Sequence, residues 1–313
     1  MIEVQDLVKK YGAQRAVDGI SFSVVRGELF GLLGPNGAGK TTTISTLATL
    51  LKPDGGRALI GGHDVAAEPG AARRLLGMVP QEIALYKDLN ARDNLRFWGE
   101  LYGLSGRGLE RRIAELLDMT SLSEHATQKV ATFSGGMQRR LNMAAGLVHS
   151  PEVLFLDEPT VGIDAQARSR LLELVRQLAD AGLTVIYTTH YLEEAEQLCD
   201  RIGVIDKGRM VALGDKEELI AQVGHHDRVR FHLPEDRQTE LSGAATAWPG
   251  YQGLSRKRGK AVLEVRDGAA VLPALQGWLQ ERHLDLEQLE IERPNLESLY
   301  LNLTGKGLRE GVK

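Results

Sequence analysis

Short apolar runs alternate with helical patterns from residue 1 to about residue 222. "GELFGLLG" (27–34), "EVLFLDE" (152–158) and "LTVIYTTH" (183–190) are continuous apolar stretches rich in β-formers. Such runs read as central strands of a parallel sheet, buried on both faces. After the first run, "TTISTLATLLK" (42–52) places Ile44, Leu47, Leu50 and Leu51 on one helical face. Between the other two lies "DAQARSRLLELVRQLADAG" (164–182), with Asp164 placed to cap a helix and Gly182 to end it. Strand, helix, strand in this order predicts an α/β core. The first 25 residues and the stretch 57–66 read as strands of an antiparallel flank.

Two departures interrupt this rhythm. From about 88 to 150 the period is helical throughout. Leu95, Trp98, Leu101 and Tyr102 recur at helix spacing behind Asn90, and "LERRIAELLDM" (109–119) is amphipathic, which predicts a helical subdomain set into the sheet domain. Beyond residue 222 the texture becomes more polar, and a strand, helix, strand, helix order predicts a small α+β domain over 226–313. Within it, "SRKRGK" (255–260) reads as a solvated loop that could touch anionic lipid heads, and the tail from Lys306 reads as frayed.

Composition changes this picture little. With 313 residues, 42% hydrophobic and 26% charged, the chain is long enough for two globular domains. A net charge of −4 lacks the footprint of a dedicated nucleic-acid binder. Cys199 stands alone, so no disulfide can form within the chain. No apolar run approaches the 18 or so residues of a membrane span, and the N-terminus is unlike a signal peptide, so a cytoplasmic location is expected.

Three stretches carry chemistry. Gly34-Pro35-Asn36-Gly37-Ala38-Gly39-Lys40-Thr41, followed by Thr42, fits G-x-x-x-x-G-K-[ST]. Triphosphate oxygens need several N–H donors converging on one point, and only backbone with little side-chain bulk comes that close. The following helix adds its positive end. Lys40 would reach the β and γ phosphates, and the Thr41 hydroxyl would ligate Mg2+. In "VLFLDEPT" a buried strand ends on Asp157 and Glu158, a costly pair unless a metal or proton offsets it. Asp157 would hold Mg2+, and Glu158 would polarise an attacking water. In "TFSGGMQRRL", Ser134 can cap a helix whose first turn is left bare by Gly135 and Gly136, a second anion-binding terminus. A glycine-rich turn, an acidic turn and a capped helix are the plain readings of the three taken singly. Two phosphate sites for one nucleotide suggest a composite site, one copy's loop facing another copy's helix end.

With these residues in this order, the chain resembles the ATP-binding cassette (ABC) family, the nucleotide-hydrolysing subunits of membrane transporters. The resemblance covers residues 1 to about 222: the phosphate loop at 34–42, Gln81, the signature at 133–137, the strand carboxylates, the aspartate loop ending at Asp164, and His190. It implies a P-loop NTPase fold with an antiparallel β flank and a helical subdomain, and ATP with Mg2+ as ligands. It further implies that Tyr11 stacks on adenine, that Gln81 touches Mg2+ and the attacking water, and that His190 contacts the γ-phosphate. Ser134, Gly135 and Gly136 would bind the γ-phosphate held by the opposite copy of a homodimer. The implied partner is a separate integral membrane permease, holding the chain at the cytoplasmic face of the membrane, with no nucleic acid expected.

One position departs from the family pattern. The signature commonly ends in Gln, whereas Met137 stands here and supplies no amide. "SGGM" followed by basic residues, together with "NLESLYLNLTG" (295–305), resembles the branch paired with multidrug, antibiotic or polysaccharide exporters. The other reading weighed is a soluble cassette ATPase acting on ribosomes or nucleic acid. Such chains carry a long coiled coil or a second cassette, and neither pattern is present.

Overall fold

The computed structural model describes residues 1–222, 226–257, 260–286 and 288–304. The chain divides into two compact units, one over Met1–Lys216 and a second beginning at Glu217. The first unit opens with β1 (Ile2–Tyr11), β2 (Gln14–Val24), β3 (Leu29–Leu33), α1 (Lys40–Leu47), β4 (Gly55–Ile60), β5 (His63–Asp64), α2 (Pro69–Leu75) and β6 (Leu76–Val79). Three helices follow, α3 (Ala91–Leu101), α4 (Gly106–Met119) and α5 (Gly135–Gly146). Then come β7 (Val153–Asp157), α6 (Ala165–Asp180), β8 (Thr184–Thr189), α7 (Leu192–Leu198), β9 (Arg201–Asp206) and β10 (Arg209–Gly214), and α8 (Lys216–Ala221) leads into the second unit.

Two sheets organise this unit. The larger has the order β10-β9-β3-β8-β7-β6, parallel except for β10. Every residue of β3, β7 and β8 is buried, as strands covered on both faces require. The smaller sheet, β2-β1-β4-β5, is antiparallel throughout. Register places the carboxyl ends of the parallel strands side by side: Leu33 pairs with Thr189, Asp157 with Thr188, and Val79 with Leu156. The residues that follow these strands therefore emerge together at one edge, where ligands bind in such sheets.

The helix ends follow the sequence signals. Asn90, Ser134 and Asp164 each cap a helix by accepting a backbone N–H with the side chain. Gly182 turns the chain after α6 with φ 98°. Two faces differ from expectation. Helix α1 stops at Leu47 because Thr49 turns left-handed (φ 62°), so Ile44 and Leu47 are buried while Leu50 is 66% exposed. In α3, Leu95 is buried but Leu101 and Tyr102 face solvent.

In the second unit, β11 (Asp227–His232), α9 (Gln238–Ala245), β12 (Tyr251–Lys257), β13 (Lys260–Val265), α10 (Gly268–Gln280), β14 (Glu290–Glu292) and α11 (Leu296–Thr304) follow one another. The strands form an antiparallel sheet, β12-β13-β11-β14. Val229, Phe231, Leu263 and Val265 share a core with Leu241, Leu275 and Trp278 of the helices. The sequence pattern did not anticipate α9 and β12. Instead of a loop, Ser255 to Lys257 form the end of β12, paired with β13. Arg258, Gly259 and the tail read as frayed lie outside the described residues.

Candidate active site

A cavity of about 620 Å³ opens at the carboxyl edge of the large sheet. The loop after β3 forms its floor, contributing Asn36, Gly37, Gly39, Lys40, Thr41 and Thr42. Two glycines of this loop leave room that no side chain could share. A Cβ on Gly34 would lie 2.3 Å from the Ile205 carbonyl oxygen, and one on Gly39 would lie 2.4 Å from that of Ala16. Gly39 also takes φ 109°, outside the range of L side chains, and so begins α1 with its first N–H groups bare. Ala38 is buried behind the floor, where its carbonyl accepts the Gly208 N–H at 2.8 Å.

Lys40 crosses the loop. Its Nζ donates to the carbonyls of Gly34 (2.6 Å) and Pro35 (3.1 Å) and lies 3.0 Å from Glu158 Oε1. Lys40 is 4% exposed and Glu158 6%, so this pair is shielded from water. The other Glu158 oxygen accepts from His190 Nδ1 at 3.1 Å. Glu158 stands just past β7 with φ 44°, a left-handed turn that aims its carboxylate back over the loop. The turn is held by the Glu158 N–H, which donates to Thr188 Oγ1 at 2.9 Å. The Thr188 hydroxyl in turn donates to Asp157 Oδ1 at 2.7 Å, and the Thr41 hydroxyl reaches the same oxygen at 3.3 Å.

His190 has its own support. Glu194, buried at the start of α7, accepts from Tyr187 (2.9 Å) and Thr189 (2.8 Å), and Thr189 Oγ1 accepts the Tyr191 N–H at 2.9 Å. Burial, with the Glu194 charge next, pushes the Tyr187 phenol well above its ordinary range, so it stays a donor. Arg168 of α6 stacks on the Tyr191 ring at 4.6 Å.

Among the sequence-predicted residues, Asn36, Gly37, Gly39, Lys40, Thr41, Thr42, Gln81 and Glu158 line the cavity. Asp157 sits behind Thr41, and His190 joins through Glu158. Tyr11, at the tip of the β1–β2 hairpin and 52% exposed, lies outside the lining. Ser134, Gly135 and Gly136 also lie outside it, at the start of α5. A Cβ on Gly136 would meet Ala167 Cβ of α6 at 2.6 Å, whereas Gly135 has only ordinary contacts. Met137 packs into the core that surrounds α5.

Sequence reasoning missed one whole wall. Gln14, Arg15 and Ala16 from the β1–β2 hairpin, with Lys207 and Gly208 from the β9–β10 turn, also line the cavity. The only local signal was the left-handed Lys207-Gly208 turn within "DKGR". Thr188 was also missed, because its hydroxyl acts across two strands.

The donor set fits a nucleotide triphosphate with Mg2+. A hydroxyl, a carboxylate and an amide, from Thr41, Asp157 and Gln81, are the hard oxygen donors that Mg2+ takes. Among the described residues no cluster of three His, Cys, Asp or Glu side chains could hold an ion unaided.

Comparison with known proteins points the same way. The sequence profile of the family described as "ABC transporter" matches residues 17–161. The chain is 45% identical over 311 residues to the linearmycin resistance ATP-binding protein LnrL of Bacillus subtilis, covering 99% of this chain and 100% of that one. It is 43% identical to the daunorubicin resistance ATP-binding protein DrrA3 of Streptomyces coeruleorubidus, covering 98% and 97%. Among solved structures, a dimeric post-hydrolysis ATP-binding cassette bound to ADP and Pi is similar, with TM-score 0.63, 26% identity, and 69% and 98% of the two chains covered.

Proposed function

The chain belongs to the ATP-binding cassette family of transporter ATPases, and from that premise we propose how its own residues do the work. It is an ATP-hydrolysing subunit of the exporter-like branch. The cluster of Lys40, Glu158 and His190 over a bare glycine loop carries the reading of the site. Backbone N–H groups of 36–41 would cradle the phosphates, with Lys40 on the β and γ oxygens. Glu158 would take the proton of the attacking water, and His190 would hold that carboxylate and reach the γ-phosphate. Thr41, Asp157 and Gln81 would hold Mg2+. When bound, Mg2+ would draw negative charge off the phosphates. Tyr11 and the hairpin wall beside it would meet the base.

A second copy would complete the site. Ser134, Gly135 and Gly136 lie outside their own chain's cavity, and a capped helix end with bare N–H groups suits the γ-phosphate of a partner copy. Exposed Tyr86, Leu89, Phe97 and Leu101 follow the Gln81 loop, with Phe97 edge-on to Tyr86 at 4.7 Å. That apolar face would receive a membrane permease. No helix among the described residues is long and apolar enough to cross a membrane. The permease would be a separate chain holding this one at the cytoplasmic face. Two relatives are named for linearmycin and daunorubicin resistance, and the cargo would be a compound of that kind moved outward.

The test is ATP hydrolysis by the purified chain, alone and reconstituted with the permease. Stimulation by the permease supports the reading. Turnover indifferent to the permease but raised by ribosomes or nucleic acid would reject the transporter assignment and keep the ATPase.

A further inference from the structure

We propose that Arg139 is a positioning residue that makes the loop bearing Gln81 a part of helix α5. Arg139 lies in the second turn of α5, one turn beyond the Ser134 cap. Its guanidinium donates through Nη1 to the Pro80 carbonyl at 3.0 Å and through Nη2 to the Gln81 carbonyl at 2.8 Å. Three positions on, Asn142 Oδ1 accepts the Ala84 N–H at 3.1 Å. Residues three apart share a helix face, so the two side chains grip one loop from one side. Farther along, Asn94 of α3 accepts the Tyr86 N–H at 2.8 Å and donates to the Tyr86 carbonyl at 3.0 Å. The loop from the end of β6 to α3 is thereby tied to the helices rather than to the strand it leaves.

The chemistry of Arg139 is unusual for a plain core residue. It is 4% exposed, burial pushes its pKa down, and its Nε finds no hydrogen-bond partner. A buried guanidinium is retained where its planar fork does something an apolar side chain cannot. Here the fork holds two successive carbonyls, and so fixes the peptide plane from which the Gln81 side chain departs. A shift of the signature end of α5 then moves Gln81 with it. The inference rests on the proposed roles of Gln81 and the signature, and Arg139 itself touches neither nucleotide nor metal.

Hydrogen exchange and a double-mutant cycle test it on the full-length chain. In Arg139→Met, exchange of the Ala84 amide, which Asn142 holds on the same helix face, should rise by about tenfold while α1 and β7 stay protected. Turnover should fall about tenfold with the KM for ATP within about twofold, and adding Gln81→Ala should cost nothing beyond Gln81→Ala alone. Arg139→Lys keeps the charge and reaches one carbonyl, so it should fall between, and it carries the comparison if Arg139→Met does not fold. Unchanged exchange at the Ala84 amide, or losses that multiply in the double variant, would overturn the proposal. If Gln81→Ala leaves turnover intact, the role given to Gln81 falls instead, and exchange alone decides whether Arg139 holds the loop.

Discussion

Lys40 Nζ and Glu158 Oε1 stand 3.0 Å apart with both side chains buried, so the phosphate-loop lysine and the strand-end carboxylate neutralise one another. Glu158→Gln keeps the volume and the His190 contact but removes the charge and the base. Turnover should fall by about 10²- to 10⁴-fold. ATP binding should persist, since Lys40 keeps its two carbonyls and loses only a competing anion. A steady-state ATPase assay beside a nucleotide-binding titration checks this. Wild-type turnover would remove Glu158 from the proposed chemistry.

Thr188 joins Asp157 and the Glu158 backbone through a single hydroxyl. Thr188→Val keeps the shape of β8 and deletes both hydrogen bonds. Activity at limiting Mg2+ should drop by about 10- to 100-fold, with the Mg2+ requirement moved upward. A Mg2+ titration of turnover is the measurement, and an unshifted midpoint would mean the hydroxyl does not orient the carboxylate.

Two glycines of one loop should respond differently to a methyl group. A Cβ on Gly39 would lie 2.4 Å from a carbonyl oxygen and one on Gly37 would meet nothing within 4 Å, though both have positive φ. Gly37→Ala should cost about 1 kcal/mol from backbone strain alone. Gly39→Ala should cost about 3 kcal/mol or more and weaken nucleotide binding. Urea unfolding of the two variants decides it, and equal costs would mean the clash relaxes freely.

His149 couples pH to stability. Its ring stacks on Tyr102 at 3.7 Å, Nε2 donates to the Leu76 carbonyl at 3.0 Å, and Nδ1 is buried without a partner. Burial first, and the Arg112 charge after the opposing Leu76 bond, hold its pKa below the ordinary 6.5. The unfolded chain therefore binds the proton more readily. Stability from this group is complete above about pH 6.5 and is lost as pH falls through the lowered value. His149→Phe keeps the stack and removes the titration, so its melting temperature should fall less steeply from about pH 7 to pH 5. Parallel slopes would place the acid sensitivity elsewhere.

Much of this architecture was legible because it is local. A glycine loop between a buried strand and a helix, and the caps Asn90, Ser134 and Asp164, announce themselves within a few positions. What escaped depends on partners far apart in sequence. Thr188 meets Asp157, Arg139 meets Pro80, and Lys207 joins Glu158 in one cavity lining only because the fold brings them together. The exposed Leu50 was misread for a different reason. A periodic pattern continued past the point where Thr49 turned the chain left-handed.

The contact between Gly136 and Ala167 bears on how relatives of this chain are read. Helix α5 lies so close to α6 there that a side chain at 136 would force a helix to shift in one copy, whatever a second copy does. Gly135 carries no such internal demand. In a lineage whose cassette ceased to work in pairs, Gly136 and the Ser134 cap would persist while Gly135 drifted. A genome survey that scores signatures by their last glycine would count such relics as intact motors. Gly135 is the letter that separates the living from the vestigial.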